Sequence, residues 1–550
     1  MLLGSSSSGL WLTPIVALLM AGLMLLFRRR VSIAQNLGLI VALVAAIAIT
    51  GADNPQRNPI YQNGVPAAVH LPGSVLGVPA VWRMSAPSVT ILIFVLIAFL
   101  FSLSWLVTAR PGSKGLFWLV LQFACIWGIV TAANLTTIFT CAQMLLIPQY
   151  FLNLGAGTSH GRRIARRMLL ASLASQACIL VAMVFFRSPG LLAPAAMGGM
   201  AAPVALMFII LAIWISLSLF PFHSVVNARM TIDGQNLLPL NSNLWTGLAL
   251  MLWLQNSALA LQLSHISRWL AVAGCVALAA CSVACFAQRE LARSMAYAAG
   301  AVSALAFLSW LALNPLGTVG AVLILGVLPV TIFGFQRGID LLFLQSRDLT
   351  IAAEGGAAPG GATRLLFLLL TAACIGMPAT AVFRGVWFAL VGIILSTARA
   401  GEINWQTVLL VLFSLIALMP MILGIISRSL LAFRDPAQNI RRPDINVYAE
   451  HAGVWPDANF TAPLNVDAYV RTARRWAIWA MLVSLTLGIF PTLATGPLLD
   501  SFQMVPPATP RIVPRRLAPP VVRMHTVIVA RLRPMSPYQH AANAIGGSYQ

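Results

Sequence analysis

Between Leu10 and Phe27 the chain runs without a single charged side chain, and stretches of this kind recur along most of its length. About 18 apolar residues in a helix are enough to cross roughly 30 Å of hydrocarbon. The runs fall near 10–27, 36–50, 88–108, 115–133, 134–152, 168–187, 198–220, 242–262, 268–287, 295–313, 317–344, 365–397, 406–427 and 475–494. They are continuous rather than alternating, which reads as helices and not as the strands of a barrel. Composition agrees: 59% of the 550 residues are hydrophobic and 9% are charged, whereas soluble proteins carry about 25% charged residues. With 365–397 taken as one long broken crossing, the sequence predicts an all-α polytopic membrane protein of about fourteen transmembrane helices.

The net charge of +21 does not point to nucleic acid, because the arginines sit in short loops between apolar runs. Basic residues gather after odd-numbered runs: Arg28–Arg30, Arg110 with Lys114, the GRRIARR stretch at 161–167, Arg229, Arg289 and Arg293, Arg347 and Arg364, and Arg428 to Arg475. Positive loops stay cytoplasmic. The expected placement is therefore a cytoplasmic (inner) membrane with the N-terminus outside and the lipid bilayer as the surrounding medium. The tail does not fit this scheme, since 502–550 holds six Arg and no acid yet follows an even number of runs. Either one span is miscounted or the tail packs on a partner.

The organisation expected is an N-terminal three-helix segment (1–112), a first five-helix repeat (113–262), a second (263–427), a cytoplasmic loop (428–474), a last helix (475–494) and a Pro/Arg-rich tail (495–550). No GxGxxG unit, phosphate loop or cysteine cluster is present, so no catalytic residue, metal site or cofactor is expected on this chain. The seven Cys lie in or beside apolar runs and read as small buried hydrophobes.

Two runs are interrupted. ISLSLFPFHSVVNA (215–228) places Pro221 and His223 at the end of a span, and ACIGMPATAVFRGVWFALVG (373–392) places Gly376 and Pro378 inside one. Proline removes a backbone donor and clashes with the preceding turn. Such breaks are tolerated at membrane depth where the freed groups are protected or wet. Broken helices in matching positions of two halves mark the site of a transporter fold, and these two fit a pair of five-span repeats.

At these residues the chain resembles the antiporter-like membrane subunits of complex I, most closely subunit M of bacterial NADH:quinone oxidoreductase. FPFHSVVNA (220–228) is similar to that family's broken-helix Pro-x-His motif. QRELARSMAYAAGAVSALAF (288–307) resembles its Gln-x-Asp-x-Lys-Arg segment, and GMPATAVFRGVWF (376–388) its Pro-Gly-x-x-x-Phe-x-Gly-Glu-Phe helix. QMLLIPQYFLNLGAG (143–157) and LGIFPTLATGPL (487–498) resemble its Glu-Leu-Met-x-x-Pro-x-Tyr and closing Leu-Gly-x-x-Pro helices. The matches run in family order over nearly the whole chain. The resemblance implies a proton-translocating fold, other membrane subunits as partners, and NADH, FMN, iron–sulfur clusters and quinone on those partners.

The departures fall on the charges the resemblance would assign. The family glutamate of the fifth span is Gln143 here, its lysine partner is Ser216, the lysine of the Lys-Arg pair is Ala292 beside Arg293, and the glutamate of the second broken helix is Val386. The run 242–262 lacks the further lysine, and 317–344 lacks the mid-membrane histidine. Gln and Ser hydrogen-bond but do not exchange protons near neutral pH, and arginine keeps its charge. With one lysine in the chain, Lys114, no shifted alignment restores the pair. The expectation is a membrane-arm subunit whose proton path is impaired or lost and whose role is structural or coupling.

A few charges remain. His223 either serves the break or simply ends a helix at the interface. Glu290 reads as a solvated partner of Arg289 and Arg293. Asp340 follows Arg337 at i+3 and reads as a local pair. Arg384 lies at membrane depth and is expected to pair with carbonyls freed at Pro378 or with a neighbouring subunit's acid. Two other readings stay open: an antiporter-like subunit of another membrane complex (a hydrogenase or an inorganic-carbon uptake complex), and a free-standing secondary transporter.

Overall fold

The computed structural model describes residues 7–27, 30–52, 68–75, 78–109, 113–154, 159–185, 201–222, 243–257, 259–289, 291–351, 361–398, 405–434, 466–493 and 495–496. These form α1 (Ser7–Leu26), α2 (Val31–Ala52), β1 (Ala68–Val75), β2 (Val78–Arg83), α3 (Ala86–Ala109), α4 (Ser113–Val130), α5 (Leu135–Leu154), α6 (Ser159–Phe185), α7 (Ala201–Ser216) and α8 (Leu244–Gln255). Then follow α9 (Ala260–Ala287), α10 (Leu291–Leu311), α11 (Pro315–Ile351), α12 (Gly361–Ile375), α13 (Ala381–Ala398), α14 (Trp405–Arg434) and α15 (Val466–Ile489). Eight of the described helices are long and apolar enough to cross a membrane, and shorter apolar helices accompany them. The chain is a multi-pass helical membrane protein.

Arg293–Leu311 of α10 and Pro315–Leu342 of α11 are mostly buried and form the centre of the bundle, while Ala165–Phe185 of α6 and Val408–Leu430 of α14 show most of their surface. The sequence of α10 explains its place. Ala296, Ala298, Ala299, Gly300, Ala301, Ser303 and Ala304 give it a small-residue surface that lets neighbouring helices approach closely, as packing between apolar helices in lipid demands. The same device joins α11 to α13. A methyl group added at Gly320 would lie 2.6 Å from the Ala389 nitrogen, and one at Gly385 would lie 3.1 Å from the Ile324 nitrogen. At the start of α11 this crossing is fastened by polar groups. The Asn314 amide donates to the Gly392 carbonyl and accepts from the Gly317 N–H at 2.7 Å, and Ser309 donates to the Gly317 carbonyl at 2.6 Å.

Two features depart from the pattern of apolar runs. The eighth run does not cross as one helix: α8 ends at Gln255, and α9 begins at Ala260, well before Arg268. Asn256 donates to the Leu252 carbonyl at 2.9 Å and Ser257 to the Leu254 carbonyl at 2.7 Å. Local side-chain bonds of this kind compete with helix propagation. The long loop after α2 also contains a β-hairpin, an addition to the all-α architecture. Its second strand is stitched to the α4–α5 turn: Val81 N–H donates to Thr137 Oγ1 at 2.8 Å, Arg83 N–H to the Thr131 carbonyl at 2.7 Å, and Ala133 N–H to the Val81 carbonyl at 2.9 Å.

The interruption in run 365–397 is the gap between α12 and α13. Gly376 takes φ +82°, the Met377 N–H donates to the Ala372 carbonyl at 2.9 Å, and the Gly376 N–H to the Ala373 carbonyl at 3.4 Å. This is a Schellman termination, in which a left-handed residue turns the chain back on the last helical carbonyls. α7 ends the same way. Ser218 takes φ +55°, the Leu219 N–H reaches the Trp214 carbonyl at 3.1 Å, and the Ser218 N–H reaches that of Ile215 at 3.0 Å. The Trp214 indole then donates to the Phe220 carbonyl at 2.9 Å.

Candidate functional site

Four helices meet where α7 ends, and their contact is polar. α5 supplies Gln149 and Asn153, α6 supplies Ser172, Ser175 and Gln176, α7 supplies Ser216, and Asn243 precedes α8. All seven are buried. Gly247 allows the approach of α8, since a methyl group there would lie 3.2 Å from Ser216 Cβ.

Three of these residues close a ring. The Gln149 amide donates to Asn243 Oδ1 at 2.7 Å, the Asn243 amide donates to Ser172 Oγ at 2.7 Å, and Ser172 Oγ lies 3.4 Å from Gln149 Oε1 and 2.9 Å from the Met168 carbonyl. A hydroxyl has one proton to give and two lone pairs to offer, so Ser172 can complete the ring or anchor it to its own helix. Asn243 is the N-cap residue of α8, yet its side chain makes no capping bond, because it is committed to the ring. Below the ring, Asn153 donates to the Gln149 carbonyl at 2.6 Å.

A second link joins α6 to α7. Ser175 Oγ lies 2.8 Å from Ser216 Oγ and donates to the Ala212 carbonyl at 3.1 Å. When Ser175 places its one proton on Ala212, it is the acceptor and Ser216 the donor in the pair. One position on, the Gln176 amide donates to the Ala142 carbonyl at 2.6 Å, while its buried Oε1 has no hydrogen-bond partner. The cluster contains no group that gains or loses a proton near neutral pH. Among the described residues, no group of three or more His, Cys, Asp or Glu could hold a metal ion.

The residues singled out in the sequence are distributed as follows. Ser216 lies inside the cluster, and Gln143 is half-buried on α5, beside the Ala142 carbonyl that Gln176 holds. Val386 is half-buried in the packed face of α13, and Ala292 is in the first turn of α10, followed by half-buried Arg293. Pro221 and Pro378 are exposed beside their helix ends, and Gly376 forms the α12 terminus. His223 and Glu290 lie outside the described residues. Gln149 and Asn153 lie within the 143–157 motif stretch without being singled out, and Ser172, Ser175, Gln176 and Asn243 lie outside every motif. The spacing of Gln149 with Asn153 and of Ser172 with Ser175 and Gln176, three or four apart inside apolar runs, puts each set on one helix face and was the available signal.

Two charged features lie in the second half. Arg337 Nη1 and Asp340 Oδ2 are 3.0 Å apart on α11, with the Arg337 side chain fully buried. The guanidinium carbon stands 4.0 Å from the centre of the Trp105 ring of α3 and 5.3 Å from that of Phe333. Arg384, in the first turn of α13, donates from Nε to the Gly488 carbonyl of α15 at 2.9 Å. The carbonyl it meets is thus at the end of the last helix and not one freed at Pro378. The final residues of a helix have carbonyls without intrahelical partners, and a cation there is favourable.

The helix order, the α12–α13 break and this arrangement define the fold of an antiporter-like membrane subunit. The chain superposes on a subunit of respiratory complex I from Thermus thermophilus with bound NADH, with TM-score 0.64 and 16% identity over 89% of this chain and 97% of that one. It is similarly like a chain of the Mrp complex from Dietzia sp. DQ12-45-1b (TM-score 0.62, 16% identity, 90% of this chain, 57% of that one). A chain of the membrane-bound sulfane sulfur reductase, an archaeal respiratory membrane complex, gives TM-score 0.62 and 14% identity, over 90% of this chain and 97% of that one. No protein-family model matches the chain, and no curated protein sequence matches it.

Proposed function

We propose that this chain is a membrane-arm subunit of a complex I-like NADH:quinone oxidoreductase, with its proton path impaired or lost and a structural or coupling role in its place. The carrying observation is the uncharged cluster of Gln149, Ser172, Ser175, Ser216 and Asn243 at the end of α7. Ser216 is where the family resemblance implies the lysine of a Glu–Lys pair. In that pair each charge shifts its partner's pKa, and amides and hydroxyls offer no equivalent. In this reading the chain sits in the cytoplasmic membrane with its N-terminus outside, and NADH, FMN, iron–sulfur clusters and quinone reside on partner subunits.

Purification of the tagged full chain from its native membrane, followed by mass spectrometry, tests the host. Other membrane subunits of an NADH:quinone oxidoreductase should appear in equal amounts. A single chain with measurable flux in vesicles would instead make it a free-standing transporter. The near-equal likeness to the Mrp and sulfane sulfur reductase chains supports a second reading, in which the same fold serves another membrane complex. A different set of co-purifying subunits, those of a hydrogenase or an inorganic-carbon uptake complex, would decide for that reading. The lost path is tested in the reconstituted complex with His223→Ala. Protons moved per electron should stay unchanged, and a large fall would show that this half still conducts.

A further inference from the structure

The α12–α13 break is the one place where exposure and depth conflict among the interruptions whose geometry is described on both sides. Ile375 lies 11 residues beyond Arg364, about 16 Å along a helix, and α13 then runs apolar to Ala398 except for Arg384. The end of α15 gives the same depth independently. Gly488 is 13 residues beyond Arg475, about 20 Å, and it packs against the backbone of Ala379 and Thr380. Both points fall inside a hydrocarbon layer of about 30 Å.

At this depth Met377, Pro378 and Ala379 are non-helical and exposed, and Ala379 takes φ +72°. Irregular backbone does not face lipid: it is covered by protein or lines a water-filled cavity. The surroundings decide which. Met377, Trp387, Ile489, Phe490 and Leu493 are each more than half exposed, and such an apolar rim suits a protein contact and not a watery wall. Within it stands Arg384, three residues before Trp387 and so on the same helix face. Among the described residues its side chain makes one hydrogen bond, from Nε, and no acid pairs with it. The two terminal nitrogens of the guanidinium are the part suited to a two-pronged carboxylate contact.

We propose that this face, formed by residues 377–379, Trp387 and the end of α15, seats a transmembrane helix of an adjacent membrane subunit that brings a carboxylate to Arg384. The bound helix covers the irregular backbone and neutralises a charge that is costly at membrane depth. Arginine and tryptophan at the centre of an otherwise apolar patch are the usual anchors of such contacts.

The inference rests on the chain being a subunit of an assembly but not on which assembly. A photo-crosslinking amino acid placed at Trp387 of the full chain, in its native membrane, tests it. The expected product is an adduct to a transmembrane segment that contains Asp or Glu. Arg384→Glu should loosen that association by roughly 30-fold or more, and exchanging the partner's acid for Arg in the same background should restore it. Arg384→Lys, which keeps the charge, should retain the adduct. Adducts to lipid alone, or to a segment without an acid, overturn the proposal. So does labelling of Ala379→Cys in the assembled complex by a membrane-impermeant thiol reagent, which would show water at the break. A chain that co-purifies with partners yet fails these tests loses this inference and not the subunit reading.

Discussion

The Ser216 hydroxyl of α7 lies 2.8 Å from that of Ser175 of α6, and Ser175 also reaches the Ala212 carbonyl at 3.1 Å. Donation from Ser216 to Ser175 and from Ser175 to Ala212 gives each proton an acceptor inside the bundle. Ser216→Ala removes the first donor and leaves Ser175 satisfied, so it should cost about 1 kcal/mol. Ser216→Lys inserts an ammonium among amides and hydroxyls with no carboxylate to meet it, and should cost about 3–5 kcal/mol. Thermal unfolding of the purified protein in detergent measures both. A lysine variant as stable as the parent would mean that an acid does reach this position.

The ring of Gln149, Asn243 and Ser172 makes a different demand. Replacing Gln149 or Asn243 with Leu strands the groups left behind, at about 1–3 kcal/mol each. Because both belong to one network, the double variant should cost less than the sum, with a coupling of about 0.5–3 kcal/mol. Strictly additive losses in the same unfolding assay would show that the two residues act separately.

Arg337 and Asp340 stabilise each other in a place where neither belongs alone. Arg337→Met removes this cation from beside the buried Asp340 and should cost about 3–5 kcal/mol, whereas Arg337→Met with Asp340→Leu should recover most of that loss. The guanidinium also stacks on Trp105, so a residual deficit of about 0.5–2 kcal/mol is expected in the double variant. If the double variant is as unstable as the sum of both singles, the two residues do not stabilise each other.

Glycines separate packing from propensity. A methyl group at Gly22 of α1 meets nothing within 4 Å, while one at Gly320 meets the backbone of α13 at 2.6 Å. Gly22→Ala should stabilise by about 0.5–1 kcal/mol through the unfolded chain. Gly320→Ala should destabilise by about 1–3 kcal/mol through overpacking. Opposite signs in one melting series are the expected result, and a shared sign would contradict the close α11–α13 crossing.

Much of this architecture was legible in the sequence because lipid imposes length. α3 announces itself as an uninterrupted apolar run, and Gly376 and Pro378 announce the break between α12 and α13. The early end of α8 was not legible, since Asn256 and Ser257 stop the helix through short-range bonds that leave the hydropathy of the run intact. The hairpin was hidden for another reason. Pro72 and Gly73 fall inside β1 and disturb the alternation that marks a strand, and its pairing with the α4–α5 turn is a long-range contact. For the site, a motif singled out Ser216, but nothing in the chain order says that its neighbour is Ser175. That pairing is set by how α6 crosses α7, which residue spacing narrows to a helix face and does not resolve to a partner.

The neutrality of the α5–α8 cluster also has an electrical meaning. A membrane potential acts on net charge, at about 2.3 kcal/mol per elementary charge moved through 100 mV. Gln149, Ser172, Ser175, Ser216 and Asn243 present none, so a change of voltage exerts no net pull on the side chains that join these four helices. An energised and a de-energised membrane therefore act alike on these five side chains.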